Sequence, residues 1–99
     1  MMGNGPDSAT TAKHVVVTGR VQGVWFRAWT RDQAQALGVS GWVRNRSDGS
    51  VEAVVAGPHE AVQTLIEALH KGPRAAKVKE VRVTETTELP SETGFRINR

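Results

Sequence analysis

Gly19-Arg20-Val21-Gln22-Gly23-Val24-Trp25-Phe26-Arg27 joins a tight apolar run, residues 14–18, to a segment, residues 28–37, that reads as a helix. The run holds Val15, Val16 and Val17 in succession, the mark of a strand buried on both faces. Glycines at 19 and 23 let the backbone between strand and helix turn sharply, with its N–H groups clear of side chains. Successive amides in such a turn make an anion-binding concavity, and the helix start behind them adds positive potential. Arg27 falls in the first helical turn, where a bare cation costs a few tenths of a kcal/mol against the helix dipole. A bound anion reverses that sign, and the anion expected is a phosphoryl group.

The rest of the chain can be placed around this unit. Helix one spans residues 26–37, with Phe26, Trp29 or Thr30, Ala34 and Leu37 as its inward stripe and Gly38 as a left-handed stop. Strand two covers residues 41–46, Ser47-Asp48-Gly49 makes a tight hairpin, and strand three covers residues 50–56. Gly57-Pro58 opens helix two, with proline at the first helical position and Glu60 suiting the dipole. Val62, Leu65, Ile66 and Leu69 form the clearest helical stripe in the chain, and Gly72-Pro73 ends it. Strand four is expected over residues 77–84, followed by a polar connection and a short final strand at 94–97. The order βαββαβ, with right-handed crossovers, packs both helices on one face of a four-stranded antiparallel sheet. The expected fold class is therefore an α/β (α+β) sandwich of ferredoxin-like type, with strand two at a sheet edge.

The totals bound the remaining possibilities. Ninety-nine residues make one domain able to bury a core. With no cysteine, a disulfide framework, a thiol nucleophile, a thiolate metal site and redox sensing are excluded. A net charge of +3, from thirteen basic and ten acidic residues, is too even to argue for nucleic acid. Residues 1–12 have no apolar run and are expected to be a disordered leader, with a single domain over 13–99. No window reads as a signal peptide or membrane span, and Asp7 stands where a myristoylation signal needs Ser or Thr. A soluble, cytoplasmic monomer is expected, with no membrane or nucleic-acid partner.

Asn45 is the second residue with chemistry to offer. Asparagine is depleted in strands, so its place late in strand two has two readings. It starts the turn that follows, or its neutral carboxamide holds one water. Spacing alone does not bring that strand end to the loop after strand one.

The first motif resembles the phosphate-binding signature of the acylphosphatase family. A second resemblance lies in Leu37-Gly38-Val39-Ser40-Gly41-Trp42-Val43-Arg44-Asn45, followed by Asp48-Gly49-Ser50-Val51-Glu52. It continues through Gly57-Pro58, Lys71-Gly72-Pro73 and Gly94-Phe95-Arg96-Ile97, in the family's order and spacing. The resemblance implies an enzyme that hydrolyses the carboxyl–phosphate anhydride of acyl phosphates without metal or cofactor. It implies that Arg27 binds substrate and Asn45 positions the attacking water. The phosphate cradle it implies is made by the loop from Arg20 through Val21, Gln22 and Gly23 to Val24. Inorganic phosphate is then both product and competitive inhibitor. Three positions depart from the pattern: Trp25 at a variable site, Trp29 where tyrosine is common, and Asn98-Arg99 where a terminal aromatic is frequent. These bear on packing and acyl-group preference.

Rival readings have less support in the residues. His14, His59 and His70 invite a phosphohistidine or general-base role, but each suits an ordinary position on a strand or helix. Trp25, Trp29 and Trp42 invite a base-stacking sheet, yet strand three reads Val51-Glu52-Ala53-Val54-Val55 and lacks the aromatic RNA-binding signature. Arg20, Arg44 and Arg46 can enrich a positive field. A module that senses a small anion without turning it over would use the same loop and Arg27, and Asn45 is the feature that argues for hydrolysis. No Walker motif supports an ATPase.

Overall fold

The central valines form the middle of β1 (Thr10–Arg20), the strand on which the sheet is built. In order, α1 (Phe26–Leu37), β2 (Ser40–Asn45), β3 (Val51–Pro58), α2 (His59–Lys71), β4 (Lys77–Glu85) and β5 (Phe95–Ile97) follow. The computed structural model describes residues 10–90 and 93–98. Most of the leader expected at residues 1–12 lies outside that range, but Thr10 to Ala12 already belong to β1, paired with Pro58, Gly57 and Ala56.

The sheet order is β4-β1-β3-β2-β5. Its first four strands are antiparallel and have the ferredoxin-like order expected from βαββαβ. The fifth corrects the expectation of a four-stranded sheet with β2 at its edge. β5 runs parallel to β2, with Gly41, Val43 and Trp42 facing Phe95, Ile97 and Arg96. Backbone bonds from Gly41 N–H to Gly94 O (3.1 Å) and Asn98 N–H to Val43 O (2.8 Å) extend the seam. β2 is thus an interior strand.

Alternation along the strands decides which residues meet the helices. Val15, Val17, Val43, Val51, Ala53, Val55 and Phe95 join Phe26, Ala34, Val62, Leu65, Ile66 and Leu69 in one core. The α2 stripe is buried as its spacing requires. On α1 the buried position is Thr30, while Trp29 is half-buried with its ring 5.6 Å from Phe26. Gly38 ends α1 in a left-handed turn, its N–H bonded to Gln35 O and that of Val39 to Ala34 O. Pro58 is not the first helical residue. It ends β3 and caps α2 with extended backbone at ψ 140°, because strand pairing with Thr10 carries through it.

The opposite face is covered too. Val54 is fully buried there, in register with His14 and Trp42. The Trp42 indole N–H donates to Glu88 (3.1 Å), so the connection from β4 to β5 reaches over this face. Glu52 accepts from His14 Nε2 (2.6 Å) and Arg44 Nε (2.7 Å) beside it. At the far edge Lys13 is ion-paired with Glu85.

Candidate active site

The strand–turn–helix unit is tighter than its glycines suggest. Gly19 is not the start of the loop: β1 runs on to Arg20, with a bulge between Thr18 and Gly19. At φ 121°, a Cβ on Gly19 would stand 2.2 Å from Lys77 O, so glycine is needed for close approach to β4. Gly23, at φ 73° with open space around it, makes the turn proper. Trp25 then adopts φ 65° and ψ 20° as the residue before α1, with no side-chain cap. The helix therefore begins with its early amides uncapped and Arg27 in its first turn.

The Gln22 side chain links this loop to the β2–β3 hairpin. Its amide donates to Arg46 O (2.7 Å) and Ser50 O (2.9 Å), the two carbonyls that bracket the turn. The hairpin itself is closed by Arg46 N–H to Ser50 O (2.8 Å) and by Asp48, whose carboxylate accepts from the Ser50 amide and hydroxyl. Those bonds hold the Asp48 carboxyl below its ordinary range. Turn chemistry thus belongs to Asp48 and Ser50, and Asn45 is left for another task.

Asn45 follows Gly41 and Val43 on the helix-facing side of β2, at the end of the core row, so its side chain points under the start of α1. Its Oδ1 is buried and accepts no hydrogen bond from any described residue. A buried acceptor in that state costs about 1–3 kcal/mol. Arg27, likewise, has no carboxylate partner among the described residues.

Both side chains line one cleft of about 440 Å³, with Val21, Gly23, Trp25, Phe26, Ala28 and Ile97. Arg20, Gln22 and Val24, which sequence placed in the cradle, are not part of that lining: Arg20 pairs with Lys77 at the strand end, and Gln22 turns its side chain to the hairpin. Ile97 enters the wall because β5 lies beside β2, opposite Val43 and two residues short of Asn45. Its place could be foreseen only by pairing the final strand with β2. Arg44, Asn45, Arg46 and Ser47 line a smaller adjoining cleft of about 300 Å³.

The remaining candidates are elsewhere. His14 faces Glu52 on the other side of the sheet, and His59 meets Thr11 Oγ1 at 3.1 Å. His70 is exposed at the end of α2. The three tryptophans share no face: Trp25 is at the cleft, Trp29 against Phe26, and Trp42 stacks with the Arg44 guanidinium 5.3 Å from its ring centre. Among the described residues no group of three His, Asp or Glu side chains could hold a metal ion, and no helix is long and apolar enough to cross a membrane.

Fold and cleft together define a ferredoxin-like α+β protein with a loop–helix unit that has no side-chain cap and one cleft lined by an arginine with no carboxylate partner among the described residues and by an asparagine whose amide oxygen is buried. Comparison with known proteins makes this specific. The acylphosphatase family model matches residues 13–97. An acylphosphatase from Rhizobium meliloti (strain 1021) is 52% identical over 85 residues, 86% of this chain and 90% of that protein. A solved acylphosphatase from Coxiella burnetii superposes with a TM-score of 0.86 at 38% identity, covering 93% of this chain and 96% of that one. One from Bacillus subtilis gives 0.84 at 39% identity, covering 89% and 98%. The chain belongs to the acylphosphatase family.

Proposed function

We propose that this protein hydrolyses acyl phosphates to a carboxylate and inorganic phosphate, with Arg27 and the loop amides holding the phosphoryl group and Asn45 holding the water. The observation that carries this is the meeting, in the lining of one cleft, of a guanidinium with no carboxylate partner and a buried amide oxygen with no donor among the described residues. Each is unfavourable alone, and one substrate with one water satisfies both.

The chemistry needs little more. A carboxylate is a good leaving group, so protonating it contributes little. What remains is to hold the phosphoryl group, balance its charge and aim water in line. Arginine's planar fork suits two phosphoryl oxygens and keeps its charge. The amides around Gly23 and the start of α1 add donors for the third oxygen. Asn45 Oδ1 accepts from the water and turns its lone pair toward phosphorus. The new P–O bond forms as the bond to the acyl oxygen breaks, the water's proton passes to the phosphate, and the electron pair leaves on the carboxylate. An asparagine does this without setting a negative charge beside the phosphate, as a carboxylate would.

This reading calls on no metal or cofactor, makes inorganic phosphate a competitor, and treats the chain as a cytoplasmic monomer. The test is hydrolysis of benzoyl phosphate in EDTA, with Arg27→Ala beside the wild type. Turnover that phosphate inhibits and the folded variant lacks is the expected result. Undiminished activity in Arg27→Ala defeats the assignment, and phosphate binding without turnover would make the protein an anion sensor.

A further inference from the structure

Trp25 is the residue this reading leaves unused. Its side chain is 82% exposed, although it lines the cleft. Its backbone sits at φ 65°, the sole non-glycine residue with positive φ among those described. For a bulky side chain that conformation is an outlier that surrounding structure must hold in place. Its carbonyl accepts the Trp29 N–H at the helix start (2.9 Å), but the indole is not buried in the core and makes no side-chain helix cap.

The cleft itself is two-sided in chemistry. Arg27, Asn45 and the turn at Gly23 supply polar groups, while Val21, Trp25, Phe26, Ala28 and Ile97 supply apolar surface. Val21 and Phe26 are almost wholly buried in the core, so their share of the open surface is small. The indole is the large apolar group left open to a ligand. It stands two residues from Arg27, on the lining of the same cleft.

We propose that Trp25 is the specificity-determining residue for the acyl group, a platform against which aromatic and extended apolar acyl groups pack. The inference rests on Arg27 and Asn45 marking the phosphoryl end. It makes acyl phosphates with flat or long apolar acyl groups the favoured class over acetyl-sized ones. Backbone strain is then retained because it turns the indole out of the core and over the cleft.

The test compares benzoyl phosphate and acetyl phosphate on wild type, Trp25→Gly and Trp25→Phe. Glycine accepts a left-handed backbone without strain, so Trp25→Gly should fold with an equal or higher thermal midpoint. The benzoyl-to-acetyl ratio of kcat/KM should fall about tenfold in Trp25→Gly, through KM for benzoyl phosphate, as expected for loss of an aromatic contact. Trp25→Phe should keep most of the ratio, and inorganic phosphate should inhibit all three proteins alike. An unchanged ratio in a Trp25→Gly protein that phosphate still inhibits overturns the platform and leaves the phosphoryl site standing. A wild type with neither turnover nor phosphate inhibition overturns both.

Discussion

Gln22→Ala should loosen the protein and its active site together. The carboxamide donates one hydrogen to Arg46 O at 2.7 Å and the other to Ser50 O at 2.9 Å. Both carbonyls keep a backbone donor after truncation, Gly49 N–H (3.2 Å) for the first and Arg46 N–H (2.8 Å) for the second. Neither is orphaned, so the cost is two ordinary bonds at about 0.5–1.5 kcal/mol each. The bond to Arg46 is exposed and belongs at the low end, which gives about 1–2 kcal/mol in all. For a domain of this size that lowers the melting temperature by roughly 4–16 °C. Gln22→Glu should be worse, since it sets a carboxylate of the same length against two carbonyl oxygens. Those dipoles raise the introduced group's folded pKa above its unfolded value of about 4.3. The variant's deficit should therefore shrink on acidification towards that value and grow as pH rises through the folded pKa. Thermal unfolding by circular dichroism at several pH values reads this, and kcat/KM for benzoyl phosphate at 25 °C reads the coupling to Arg27 and Asn45. A Gln22→Ala protein within about 2 °C of wild type, or a Gln22→Glu protein as stable as Gln22→Ala at neutral pH, refutes the clamp.

Asn45→Ala should reduce kcat by about 10²–10³, as for loss of one transition-state contact, while phosphate inhibition persists. Its melting temperature should equal or exceed that of the wild type, because the truncation removes a buried acceptor that has no donor; a less stable protein that has also lost phosphate binding would make Asn45 structural. Glu52→Gln should flatten the acid limb of stability. Burial raises the Glu52 pKa, but hydrogen bonds from His14 and Arg44 outweigh it and leave the carboxyl below its ordinary value of 4.5. A depressed folded pKa contributes stability above the unfolded value, lost as pH falls through the folded one. The wild type should thus weaken more steeply than Glu52→Gln below about pH 4.5, and equal slopes in acid titrations followed by fluorescence would count against the His14–Glu52–Arg44 cluster.

Local readings succeeded where local physics decides. The span of α1 and the Val62, Leu65, Ile66 and Leu69 stripe follow from helical spacing and agree with the structure. Pro58 misled because a proline before a helix suits either its first turn or the strand end ahead of it, and pairing with Thr10 chose the strand. Gly19 misled because its freedom suits a turn equally well, whereas β4, where Val78 is its register partner, needed the space of its missing Cβ. Which of Trp29 and Thr30 is buried depended on what the helix packs against.

By itself the sequence determined the element order, the inward stripes of the two helices, the ferredoxin-like pairing and the two motifs that hold Arg27 and Asn45. Those depend on periodicity, turn chemistry and residue type, which act within a few positions. The tertiary structure decided that the two residues share a cleft, that Gln22 ties loop to hairpin, that β5 covers β2 and brings Ile97 into the wall, and that Trp25 stands exposed over the opening. Each of these relates groups distant in the chain or depends on which way a side chain leaves a turn. Such contacts are set by register, by the partner the final strand takes and by side-chain direction, which spacing along a single sequence does not specify.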